Sequence, residues 1–145
     1  MYKRQLLYIG YGFRTDLKAL ERAAKLLHCP VVALKLIDPS FYHLDTALSV
    51  LDQQTAIYAP EAFDKDSQQL LQRLFPRLIR APLNEAKLGF VTNGHCPDGK
   101  HFIVHEGSTT TNQAVKAAGF QVIERNTSEF MKAGGSVFCM KMMLP

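Results

Sequence analysis

A chain that spells out one pattern of elements three times is confined to architectures in which equivalent units pack side by side. Three segments of this 145-residue sequence run from an amphipathic helix into a short strand. The first is "TDLKALERAAKLLHCPVVALKLID", with Thr15 as the expected N-cap. Its Leu17, Leu20, Ala24 and Leu27 fall on one helical face, and "VVALKLI" follows as a strand. The second is "PEAFDKDSQQLLQRLFPRLIRAP", with Pro60 near the helix start and Pro76 ending it. The third is "STTTNQAVKAAGFQVIERN", capped by Ser108 or a following Thr and stopped by Gly119. Helix starts near positions 16, 61 and 109 give spacings of 45 and 48 residues (61 − 16 and 109 − 61). Between these pieces "HLDTALSVLD", "TAIYA", "LGFVTNG" and "HFIVHEG" read as further strands. The repeating unit is therefore roughly strand–strand–helix–strand. About three ββαβ units imply an α/β array, a partial α/β propeller in a single domain over residues 1–145.

Bulk properties narrow the function. No apolar run approaches the roughly 20 residues of a membrane-spanning helix. The start "MYKRQLLYIGYG" reads as a first strand and not a signal peptide, because its apolar run is short and no small-residue cleavage site follows. The net charge is +4, yet the 17 Lys and Arg are interleaved with 13 acids and carry no nucleic-acid-binding signature. Neither a membrane nor a nucleic acid is an expected partner. Cys29, Cys96 and Cys139 are an odd count without framework spacing, which fits a reducing cytoplasm.

Two stretches carry chemistry. In "PSFYHLDTALSVLD", read as a strand, alternate side chains share a face, placing His43 and Asp45 about 6.5 Å apart on one side. An imidazole beside a carboxylate can exchange protons and hold a cation, although a solvated strand face would read the same way. In "GGSVFCMKMM", read as a terminal strand, Gly134 and Gly135 allow positive φ or close backbone approach ahead of Cys139. Cysteine is commonly a buried core residue, so Cys139 is either inert packing or a nucleophile. Its position favours the second, because His43 and Cys139 each follow an equivalent helix–strand piece and such points converge in a closed array. A thiol near an imidazole suits covalent catalysis.

The cluster "HCPDGKHFIVH" holds His95, Cys96, His101 and His105 and invites a zinc reading. Its spacing matches no familiar structural site. On a strand His101 and His105 stand about 13 Å apart, too far to share one ion, and "CPDGK" reads as a hairpin turn. No metal is expected. Cys29 reads as a helix–strand junction residue.

Four stretches in order, "GYGFRT", "HLDT", "FVTNG" and "SEFMKAGGSVFCM", resemble the guanidino-group-modifying (pentein) enzymes: arginine deiminase, dimethylarginine dimethylaminohydrolase and the amidinotransferases. The resemblance implies a propeller of ββαβ modules around a central site. It implies Cys139 as the nucleophile toward a guanidinium carbon, and His43 as the acid that protonates the departing amine and then activates water. It also implies Asp45 as a holder of guanidinium nitrogens and Arg14 as a grip on a substrate carboxylate. The implied reaction is cysteine-dependent hydrolysis of, or amidino transfer from, an arginine-like substrate through a covalent thiouronium, without a cofactor. Family members are substantially longer, with further carboxylates in an N-terminal half. The chain is thus expected to correspond to the C-terminal half, and to form a homo-oligomer or pair with an N-terminal half that covers its open edges. The alternative is a non-catalytic propeller fragment that serves as an interaction module or split-enzyme subunit.

Overall fold

The computed structural model describes residues 2–3 and 6–142. The fold is mixed α/β, with three small separate sheets and no closed sheet among the described residues. In the first sheet β1 (Tyr2–Lys3) runs antiparallel to β2 (Leu6–Tyr11). Helix α1 (Leu17–Leu27) then crosses over to β3 (Val31–Lys35), which lies parallel to β2 with Ile9 opposite Ala33. A helical turn, α2 (Leu44–Ala47), leads into the second sheet. There β4 (Leu48–Val50) is antiparallel to β5 (Thr55–Tyr58), and α3 (Lys65–Leu74) returns the chain to β6 (Arg77–Arg80), parallel to β5. After the short α4 (Leu83–Lys87), β7 (His101–His105) and β8 (Gln121–Arg125) pair in parallel across α5 (Thr109–Ala117). An isolated antiparallel bridge from His95 to Ile103 stands where the other sheets have a further strand. Two helical turns, α6 (Ser128–Met131) and α7 (Val137–Met140), close the described chain.

Local chemistry explains most boundaries. Asp16, not Thr15, caps α1: its carboxylate accepts the Lys18 N–H at 2.8 Å. Pro60 opens a separate 3-10 turn (Pro60–Ala62), and α3 starts only after Asp64, whose carboxylate accepts the Ser67 N–H at 2.9 Å. The helix ends at Leu74, ahead of Pro76, which cannot continue it. Ser108 is the N-cap residue of α5, and Gly119 takes φ 96° just beyond its end.

Three strand expectations fail, each where tertiary contacts override pattern. "HLDTALSVLD" is a strand only over Leu48–Val50, with His43 capping a helical turn over Leu44–Ala47. Thr46 drives that turn, since both its N–H (3.2 Å) and its hydroxyl (2.7 Å) donate to the His43 carbonyl. "LGFVTNG" is not a strand either. Phe90 takes φ 49° and Val91–Asn93 forms a 3-10 turn. The terminal "SVFCMKMM" is likewise no strand: Val137–Met140 is helical, and residues 143–145 lie outside the described residues.

The core gathers Leu34, Phe41, Leu48, Ile57, Phe63, Leu71, Val91 and Phe102, each fully enclosed. It is centred on the second sheet. Among the described residues no helix is long and apolar enough to cross a membrane.

Candidate active site

Cys139 reaches its position through the two glycines before it. A Cβ on Gly135 would lie 2.7 Å from the Cys139 Cβ and 2.9 Å from its sulfur, so any larger residue would push the thiol away. Gly134 holds φ 91°, and its carbonyl accepts a hydrogen bond from the Tyr42 hydroxyl. The Gly-Gly pair lets the last helical turn fold tightly against the loop that carries Tyr42 and His43.

The thiol meets a carboxylate. Cys139 Sγ donates to Asp45 Oδ2 at 3.0 Å, and Asn93 Nδ2 donates to the same sulfur at 3.3 Å. Asn93 also donates to the Asp45 carbonyl at 2.9 Å and to Asp45 Oδ2 at 3.3 Å, while its Oδ1 accepts the Ser136 N–H at 2.7 Å. Behind Ser136, its hydroxyl pairs with that of Thr127 at 2.8 Å, and Thr127 bonds His105 Nδ1 through both its N–H (3.0 Å) and its hydroxyl (2.9 Å). A backbone N–H can only donate, so His105 Nδ1 is the acceptor and its proton sits on Nε2. This network fastens the turn that carries Cys139 to the third sheet.

His43 and Asp45 line one cleft of about 270 Å3, together with Tyr8, Gly10, Thr15 and Phe138, the neighbour of Cys139. They do so from a helical turn, and not from a shared strand face. On a helical turn residues two apart point in different directions, which is why Asp45 reaches the thiol while His43 stays exposed and stacks edge-on against Tyr42 at 5.1 Å. Arg14 is also exposed, its guanidinium 5.7 Å from the Tyr42 ring centre. Lys141, one helical turn after Phe138, holds its ammonium 3.7 Å from that ring's centre.

Electrostatics around Cys139 oppose ionisation of the thiol. Partial burial, and then the Asp45 carboxylate beside it, push the Cys139 pKa up, and the Asn93 hydrogen bond only partly offsets them. Tyr42 is raised by burial and by the negative charge that Cys139 and Asp45 would carry. Burial lowers Lys141, and Asp45 opposes that shift. A cation arriving beside Asp45 would reverse the balance at the sulfur.

The remaining candidates are dispersed. His95 packs edge-on against Phe138 at 5.7 Å, His101 Nδ1 pairs with Asp98, and His105 serves the Thr127 network. Among the described residues no three His, Cys, Asp or Glu side chains group as a metal would require. Cys29 and Cys96 are buried. The residues that sequence reasoning missed are Asn93, Tyr42, Phe138 and Ser136. Each adjoins or lies within a stretch already singled out, but a strand reading of "FVTNG" and "SVFCM" aimed their side chains wrongly.

No family model matches the chain. Over 130 residues it is 43% identical to N(G),N(G)-dimethylarginine dimethylaminohydrolase of Mycobacterium tuberculosis, covering 90% of this chain and 42% of that protein. Over 135 residues it is 36% identical to the bifunctional arginine dihydrolase/ornithine cyclodeaminase AgrE of a Nostoc species, covering 92% of this chain and 19% of that one. Among solved structures it is similar to the product-bound N-terminal domain of ArgZ, a cyanobacterial arginine dihydrolase. That match has a TM-score of 0.86 at 36% identity, over 93% of this chain and 50% of the other. A variant of the same domain, covalently bound to a reaction intermediate, matches equally well. The chain therefore spans half or less of each relative's length. With these likenesses running over nearly all of its residues, this chain belongs to the guanidino-group-modifying (pentein) superfamily.

Proposed function

We propose that the chain supplies the nucleophile-bearing part of a cysteine-dependent hydrolase acting on arginine or a methylated arginine. The observation that carries this reading is the contact of Cys139 Sγ with Asp45 Oδ2 at 3.0 Å, beside the cleft that His43 lines. A guanidinium carbon is a poor electrophile because resonance stabilises it, so the attacking group must be a thiolate. The substrate cation provides the condition for one. As it settles on Asp45, the carboxylate's charge is neutralised and the thiol releases its proton to His43. The sulfur attacks the guanidinium carbon, forming a C–S bond, and His43 returns that proton to the departing amine as the C–N bond breaks. Water then attacks the thiouronium carbon, giving one proton to His43. The C–S bond breaks as the product C=O forms, the hydroxyl's remaining proton passes to the released amine, and His43 returns its proton to the sulfur. An acceptor amine in place of water would give amidino transfer. Arg14 is the group proposed to hold the substrate carboxylate; its guanidinium lies 5.7 Å from the ring centre of Tyr42, the neighbour of His43.

The three units are proposed to be blades of a partial propeller, and the chain to correspond to the C-terminal half of its longer relatives. One acidic side chain is a thin cage for a planar cation with several donors, so a complementary half or a second copy is proposed to complete the site. The exposed thiol fits a reducing cytoplasm. A second reading, a non-catalytic fragment that docks a partner, is favoured by the exposed apolar residues Phe13, Leu17, Leu26, Leu27 and Ile37 of the first unit.

The test is turnover of arginine and of dimethylarginine, alone and with the missing half added in trans, reading ammonia, citrulline and ornithine. Citrulline formation that Cys139→Ser abolishes, together with a haloacetamidine adduct mapped to Cys139, is expected. No product and no adduct under either condition would overturn the hydrolase reading and leave the docking one.

A further inference from the structure

The geometry points to Asn93 as a positioning residue that holds the thiol and the carboxylate together and passes one N–H from Asp45 to the sulfur as the sulfur ionises. This deepens the reading of Cys139 as nucleophile and rests on it. Asn93 is fully enclosed, and its orientation is fixed by its neighbours. The Ser136 N–H, 2.7 Å from Oδ1, can only donate, so the side-chain oxygen faces Ser136 and the NH2 group faces the cleft. Ser136 is itself buried and backed by Thr127 and His105, which gives the anchor little freedom.

The NH2 group has two hydrogens and three acceptors. The Asp45 carbonyl at 2.9 Å takes one, and Asp45 Oδ2 and Cys139 Sγ, each at 3.3 Å, compete for the other. With the thiol protonated, S–H itself donates to Asp45 Oδ2, and the Asn93 hydrogen is divided between the two. When the proton leaves Sγ for His43, the sulfur becomes the stronger acceptor and Asp45 turns to the guanidinium donors. The second Asn93 hydrogen is then free to bond the thiolate alone. A donor held on a buried side chain gains more from such a charge than one in water. Asn93 thus opposes the burial and the Asp45 charge that keep the thiol protonated at rest.

The experiment is the pH dependence of iodoacetamide alkylation of Cys139 in the full chain, followed by mass spectrometry of the peptide that carries it. In Asn93→Ala the midpoint is expected to rise by about one pH unit, the loss of one hydrogen bond to a charged sulfur. In Asn93→Asp the rise is expected to be larger. That variant keeps the acceptor for Ser136 but turns a carboxylate oxygen toward Cys139 and Asp45. It is close to isosteric, so it decides the matter should Asn93→Ala not fold by circular dichroism. Where turnover is measurable, kcat is expected to fall with little change in KM. An unmoved midpoint in folded Asn93→Asp overturns the assignment, because a merely structural residue would change stability and not the thiol's titration. A shifted midpoint in a chain that turns over no guanidine, either alone or with the missing half added in trans, leaves Asn93's role standing and rejects the hydrolase reading instead.

Discussion

The first and second sheets are built alike and buried unlike. Each has an antiparallel strand on one side and a parallel strand reached through a helix on the other. Every residue of β5 is buried, whereas β2 encloses only Tyr8 and Gly10. In α3, Leu71 is fully enclosed and no large apolar side chain is exposed. In α1 only Leu20 is buried, and Leu17, Leu26 and Leu27 stand open at 54%, 79% and 55% of their surface. The described elements enclose the second sheet more completely than the first.

The largest effect that can break this comparison is a cavity in the second unit. Leu71→Ala removes a fully enclosed side chain and is expected to cost about 2–5 kcal/mol in urea unfolding. A loss no greater than that of an exposed leucine would mean that the second unit is not the centre of the fold.

A smaller effect lies at the turn between β4 and β5. Burial raises the Asp52 pKa, but the N–H groups of Gln54 and Thr55, each at 2.7 Å, outweigh it and leave the carboxyl below its ordinary value. A depressed carboxyl stabilises the fold above the unfolded carboxylate range, and that stabilisation is lost as pH falls through the folded value. Asp52→Asn is therefore expected to cost about 1 kcal/mol at neutral pH, and the gap to the parent should close as pH falls through the depressed folded value. A gap that persists into strong acid would show that the charge is not what the turn uses.

The smallest effect is at the open face. Leu26→Ser, on a side chain 79% exposed, is expected to change stability by no more than about 0.5 kcal/mol. A large loss in the same urea titration would show that α1 is covered in solution, by a second copy or another chain, and light scattering would tell which.

The site divided along similar lines. Gly134, Gly135 and Cys139 were legible because a glycine pair ahead of a cysteine allows a close approach, and a Cβ on Gly135 would fall 2.7 Å from the Cys139 Cβ. His43 and Asp45 were legible as a pair. Their relation was not, since strand periodicity set them on one face and the Thr46 hydrogen bonds wound the segment into a turn. Asn93 was hidden by the same cause, its "FVTNG" stretch reading as apolar strand while the structure makes it a 3-10 turn.

Sequence by itself determined the mixed α/β class, the existence of the three longer helices and, through its motifs, the likeness to a chemical family, because helical periodicity, glycines and prolines act over a few residues and need no partner. Tertiary structure alone decided which short apolar stretches became strands and which became turns. A stretch of four or five residues has no preference strong enough to resist the hydrogen bonds that the packed chain offers it. That choice is what put Asn93 between Asp45 and Cys139, from segments 48 and 46 residues away in the chain.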